Sequence, residues 1–172
     1  MSNWILHSNL LLCALLCTVF SYTVHAQMPS GADHVTFAPV AAVAVAAGKT
    51  TVVRLSGSID KGWNSYGLTP TVTADGIGPQ PLVVQVQPEN MFAVDTARTA
   101  VVKGVHIYED EVWGTTVEKL TGSIEIDVAI TIAKTAPRAK HQASIVVTLQ
   151  MCDGQICLPP DDVTIPLTIE VR

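Results

Sequence analysis

The first 26 residues contain no Asp, Glu, Lys or Arg. Within them Leu10 to Tyr22 is an apolar run, LLLCALLCTVFSY. A bilayer-spanning helix needs about 20 such residues, so this run is too short to be one. It matches the apolar core of a secretory signal. Val24-His25-Ala26 before Gln27 then supplies small residues at the third and the last positions before a cleavage site. Residues 1–26 are therefore expected to be a signal peptide, and 27–172 a single exported, periplasmic domain. A lipid anchor on Cys17 is not expected, because the bulky Leu16 stands where lipidation signals carry a small residue.

Basic residues are few. There are 10 against 15 acidic ones, all beyond residue 26, and the net charge is −5. Nucleic acid and anionic lipid both demand a basic surface, so neither is expected as a partner. No later apolar run reaches the roughly 18 residues of a membrane span, which argues against direct membrane insertion. Cysteine is scarce too. Of four, Cys13 and Cys17 lie in the leader, leaving Cys152 and Cys157. Two thiolates are too few for a closed zinc site, and His34, His106 and His141 show no ligand spacing around them. No metal and no cofactor are expected, and a monomer is.

Helical periodicity is also missing. Instead Ile124, Ile126, Val128, Ile130 and Ile132 alternate with Glu125, Asp127, Ala129 and Thr131, the period of a half-buried strand. Val163 to Val171 repeats the pattern, and Pro166, which cannot donate to a ladder, puts that strand at a sheet edge. Ser144 to Leu149, Thr51 to Leu55 and Leu82 to Val86 read as further strands. Val35 to Ala46 reads as one bent strand or two, and residues 27–33 as a loose lead-in. Gly and Pro punctuate the gaps. The expected fold is all-β, an immunoglobulin-like sandwich of about 7–9 antiparallel strands.

Three segments carry candidate chemistry. Met151-Cys152-Asp153-Gly154-Gln155-Ile156-Cys157-Leu158-Pro159-Pro160 joins two expected strands. A hairpin there sets the cysteines opposite each other, at a Cα separation of about 4.5–5.5 Å that suits a disulfide. An exported protein meets an oxidising compartment, where such a pair can close. Spacing alone leaves the pair equally readable as a reactive disulfide or as a structural clip. A Cu(I) site using Met151 is a third reading, weakened because strand neighbours point to opposite faces. The second segment is Tyr108-Glu109-Asp110-Glu111-Val112-Trp113-Gly114, whose plain reading is an exposed, solvated loop. The third is Asp60-Lys61-Gly62-Trp63-Asn64-Ser65-Tyr66. Only six aromatics lie beyond residue 26, and Trp63, Tyr66, Tyr108 and Trp113 are four of them. Rings gathered into two loop-like segments of an aromatic-poor sandwich point to a surface site.

Taken in order, Asp60-Lys61-Gly62-Trp63-x-x-Tyr66, Asp110-Glu111-Val112-Trp113-Gly114 and the Cys152/Cys157 hairpin ending in Pro159-Pro160 resemble one family. It is the amino-terminal periplasmic domain of the thiol–disulfide interchange protein DsbD, and the similarity covers most of residues 35–172. The resemblance implies a redox-active Cys152–Cys157 pair under a cap loop, Asp110 to Gly114, with Asp110 and Glu111 near the sulfurs and Trp63, Tyr66 and Tyr108 around them. It implies electron transfer from a thioredoxin-like domain to periplasmic thioredoxin-fold proteins, a chemistry that serves cytochrome c maturation. By that analogy Cys157 makes the mixed disulfide and Cys152 resolves it. DsbD continues into a transmembrane electron carrier and a thioredoxin-like domain, whereas this sequence ends at Arg172, so a membrane thiol-electron transporter is expected in trans. Val112 also replaces the aromatic usual in the cap. Carboxylates beside thiols raise the thiol pKa, and a lid limits access, so such a pair stays quiet until its partner arrives. The competing class is a non-catalytic binding module in which the disulfide is a clip.

Overall fold

The structure is a computed structural model in which residues 29–73, 75–111 and 113–172 are described. The expected signal peptide and its cleavage before Gln27 lie outside the described residues.

Among the described residues there are two sheets. In the first, β1 (Val35–Phe37), β3 (Thr50–Ile59), β8 (Thr115–Ile132) and β4 (Ser65–Tyr66) lie in that order, and β6 (Phe92–Val94) and β7 (Ala100–Asp110) also pair with β8. In the second the order is β2 (Val43–Val45), β10 (Asp161–Val171), β9 (Lys140–Leu149) and β5 (Val83–Gln87). The fold is thus an all-β sandwich. Ten strands appear among the described residues, above the expected seven to nine, because Val35 to Ala46 divides into β1 and β2 and because strands as short as β4 leave no periodic signal. One pair departs from the antiparallel expectation: β2 runs parallel to β10. That pairing begins only at Ile169, so Pro166, opposite Ser144 of β9, does lie on an open edge. Residues 31–34 are not loose. They form a 3-10 turn in which Gly31 packs against Met151, and the neighbouring Ser30 hydroxyl donates to Asp161.

Alternation explains why the sheets meet. Ile124, Ile126, Val128, Ile130 and Ile132 of β8 are all but fully buried, as are Ile145, Val147 and Leu149 of β9 and Leu167 and Ile169 of β10. Burying each such large aliphatic side chain contributes about 1.5–3 kcal/mol.

The long β7–β8 hairpin positions the site. Its register shifts on either side of Lys103. Gly104 sits in this irregularity at φ 83°, where a Cβ would stand 2.5 Å from the Ser123 carbonyl oxygen. A bulge of this kind bends the strand and re-aims the side chains beyond it. The outer arm, Val105 to Asp110 against Thr115 to Leu120, thereby turns one face toward the β9–β10 connection.

Candidate functional site

Cys152 and Cys157 oppose each other as an antiparallel pair, with Cα atoms 4.1 Å apart and the disulfide closed. The turn between them is built by Asp153. Its Oδ1 accepts from the backbone N–H of Gln155 and of Ile156, both at 2.9 Å. These N–H groups, Ile156 first, hold the Asp153 carboxyl below its ordinary pKa. Gly154 takes φ 89°, a conformation open to glycine. Leu158 N–H returns to the Met151 carbonyl at 2.8 Å and closes the base.

The two cysteines differ in exposure. Cys152 retains 4 % of its exposure and packs with Tyr66, Val117 and the partly buried Trp113. Cys157 is exposed. On its other side Cys152 pairs with Asn64 through two backbone hydrogen bonds of 2.8 Å. Met151, next in the chain, points into the main core and is fully buried, away from the face that carries the cysteines.

A groove of about 400 Å³ runs past the disulfide. Of the residues singled out in the sequence, Tyr66, Tyr108, Asp110, Glu111 and Trp113 line it together with both cysteines. Trp63 does not. It stacks on His34, with ring centroids 3.7 Å apart, and packs against the main core. Residues 63 and 66 are three apart in extended chain and so face opposite ways, a signal that was present in the sequence. Val112 lies outside the described residues.

The acidic segment is not the solvated loop that its composition suggests. Tyr108 to Asp110 belong to β7, and Asp110 is only 5 % exposed. Its carboxylate meets Lys119 Nζ at 2.8 Å and accepts from the Trp113 backbone N–H at 3.3 Å, and its carbonyl takes the Gly114 N–H at 2.7 Å. Asp110 is thus the internal brace of the turn. Lys119 Nζ also lies 4.3 Å from the centre of the Tyr108 ring. Trp113 Nε1 donates to the Tyr66 hydroxyl at 3.3 Å, which ties the turn of the hairpin to β4 beside Cys152. Glu111 is exposed at the rim.

Of the groove's lining, Lys119 lay outside every segment singled out in the sequence, and Asn64 lay inside one without being given a role. Lys119 sits opposite His106 of β7 and Tyr66 of β4, so its placement depends on strand pairing. Asn64 was legible only as a member of the face shared with Tyr66.

The residues present can exchange disulfides. A thiolate must approach an exposed sulfur in line with the S–S bond, and the departing sulfur must be tolerated as an anion. Cys157 offers the first, while Cys152 would depart into a packed, partly polar pocket. Among the described residues no group of three or more His, Cys, Asp or Glu could hold a metal ion. No helix among them is long and apolar enough to cross a membrane.

The family model described as "Thiol:disulfide interchange protein DsbD, N-terminal" matches residues 32–169. No match is found among curated proteins. Among solved structures, the chain is similar to the N-terminal periplasmic domain of ScsB from Proteus mirabilis, at 11% identity and TM-score 0.45, covering 77% of this chain and 44% of that one. It is also similar to the periplasmic chaperone SfaE, at 14% identity and TM-score 0.37, covering 80% and 58%. The chain thus spans less than two thirds of either structure.

Proposed function

Since the chain belongs to the family of the amino-terminal domain of the thiol:disulfide interchange protein DsbD, we propose that it is a periplasmic relay module that passes electrons through Cys152 and Cys157 to thioredoxin-fold proteins. The observation that carries this reading is the asymmetry of the pair, one cysteine exposed and the other buried, both lining one groove. In the proposed cycle a thiolate of a reduced donor attacks Cys157 Sγ. A donor–Cys157 disulfide forms, the Cys152–Cys157 bond breaks, and the electron pair leaves on Cys152. The donor's second thiol then displaces Cys157, which leaves the donor oxidised and this pair reduced. Run onward, the Cys157 thiolate attacks an oxidised recipient, and Cys152 resolves the mixed disulfide. The donor proposed is a membrane thiol-electron transporter.

The turn of the β7–β8 hairpin acts as the cap. Trp113, Tyr66 and Tyr108 restrict approach to the sulfurs. The charge beside them is balanced, because Asp110 is paired with Lys119. Glu111 and Asp153 are the negative charges that an approaching thiolate meets. The test is the reduction potential of the pair in thiol–disulfide buffers. A relay requires a value above roughly −300 mV, the level below which structural disulfides tend to sit. A lower value would establish the clip of a binding module instead.

A further inference from the structure

Asn64, Cys152 and Cys157 are successive partners in one antiparallel row. Directly opposed residues project to the same face, with Cβ atoms about 4.5–5.5 Å apart. The three side chains therefore stand side by side, and all three line the groove. The Nδ2 of Asn64 is buried and has no hydrogen-bond partner among the described residues. Leaving a donor unpaired in a protein interior is costly, and such a group calls for an explanation in another state of the molecule. Exchange creates such a state. When the disulfide opens, a buried anion appears on the residue directly opposite Asn64.

We propose that Asn64 is the hydrogen-bond donor for the thiolate that departs on Cys152. The inference rests on the exchange reading given above. In the step concerned, a protein dithiol attacks Cys157 Sγ through one thiolate, the new S–S bond forms, and the old one breaks with its electron pair on Cys152 Sγ. Asn64 Nδ2–H donates to that sulfur without giving up its proton. Stabilising the leaving thiolate speeds its departure, since a leaving thiol of lower pKa leaves faster. The titratable groups that surround the sulfurs are Tyr66 from β4, Tyr108, Asp110 and Glu111 from the β7 end of the hairpin, Lys119 from β8, and Asp153 from the cysteine turn. His34 lies within electrostatic reach of Asp153. None of these shares the directly opposed position of Asn64.

The test uses protein carrying Cys13→Ser and Cys17→Ser, so that only the pair titrates. In a Cys157→Ala background the pKa of Cys152 is read from thiolate ultraviolet absorbance across pH. Asn64→Leu is expected to raise it by about one unit, the scale of a hydrogen bond to a charged group. Asn64→Gln, which keeps a donor, is expected to recover part of the shift. An unchanged pKa overturns the assignment, and so does a larger rise from Tyr66→Phe. Should Asn64→Leu fail to fold, Asn64→Ala gives the same reading. With both cysteines present, the reduction potential of Asn64→Leu should fall increasingly below that of the parent as pH rises through the thiol range, because the donor favours the anion. A difference independent of pH would mark a merely structural role and overturn the proposal. Neither measurement involves a partner, so failure to exchange with thioredoxin-fold proteins would sink the relay reading alone.

Discussion

The core between the sheets and the cluster around Cys152 are built by opposite means. The core gathers aliphatic side chains from β3, β5, β8, β9 and β10 into one continuous cluster. Beside the disulfide, Tyr66, Val117 and Cys152 are buried together with half-covered Trp113, and the remaining contacts are polar: Lys119 with Asp110, and Trp113 with Tyr66. The first region holds the fold and has no ionisable group to offer. The second has little apolar area to lose and concentrates rings, charges and sulfur. Stability and chemistry are thus carried by different residues, and each can be perturbed with modest effect on the other.

The sharpest contrast comes from the core. Ile126→Ala, at a fully buried position on β8, is expected to cost about 2–5 kcal/mol through lost transfer energy and a residual cavity. Urea unfolding measures it, and the potential of the disulfide should stay unchanged. If the potential moves as well, the two regions are coupled and the contrast fails. Replacing both cysteines, Cys152→Ser with Cys157→Ser, should cost on the order of 2 kcal/mol or less, because the closed loop is short. A loss above about 4 kcal/mol would make the disulfide a structural element of the fold.

Smaller effects should appear within the cap. Trp113→Ala is expected to speed reduction by dithiothreitol by improving access, with little change in thiol pKa. Asp110→Asn leaves Lys119 without its closest partner, and is expected to lower the thiol pKa and speed iodoacetamide alkylation of the reduced protein near neutral pH. Lys119→Met should do the reverse, since it leaves the carboxylate uncompensated. Because Asp110 and Lys119 are largely buried, salt should change these charge effects little, and it should leave the Trp113 effect intact. Unchanged rates in all three variants would remove the cap from the mechanism.

The smallest expected effect is that of acid. The Arg54 guanidinium holds the Asp127 carboxyl below its ordinary pKa, and the Ser30 hydroxyl does the same for Asp161. A depressed folded pKa contributes stability above the unfolded value of about 3.9 and loses it as pH falls through the lower folded value. Denaturant midpoints should therefore be flat from neutral pH to about 5 and decline only below about 4. Asp127→Asn and Asp161→Asn should each flatten part of that decline.

The sequence disclosed the body of the molecule more readily than its site. Period-two runs such as Ile124 to Ile132 name both the strand and its buried face. Pro166 marks an edge because its nitrogen cannot donate. Within the site, Cys152, Cys157 and the rings of Tyr66, Tyr108 and Trp113 could be found as residue types with chemistry out of proportion to their number. What composition could not disclose was pairing. Asp110 reads as a surface acid until β7 is laid against β8 and brings Lys119 to it. Asn64 carries no signal of its own; its position opposite Cys152 exists only once β4 has joined the sheet. The bulge at Gly104, which aims the whole hairpin, lies where a Cβ would collide with the Ser123 carbonyl, a closeness that only the folded pairing of β7 with β8 creates.

The most direct test of the relay traps its intermediate. Two single-cysteine variants, Cys152→Ser and Cys157→Ser, both also carrying Cys13→Ser and Cys17→Ser, are incubated with a thioredoxin-fold protein that keeps only one active-site cysteine, activated as its mixed disulfide with thionitrobenzoate, so that thionitrobenzoate leaves and no second thiol can reverse the adduct. Mixed disulfides are then resolved on non-reducing gels and by intact mass. Cys152→Ser, which keeps the exposed Cys157, should form the adduct readily and accumulate it. Cys157→Ser, which keeps only the buried Cys152, should form little. Equal trapping by both variants, or by neither, would contradict a relay that works through the exposed sulfur of an asymmetric pair.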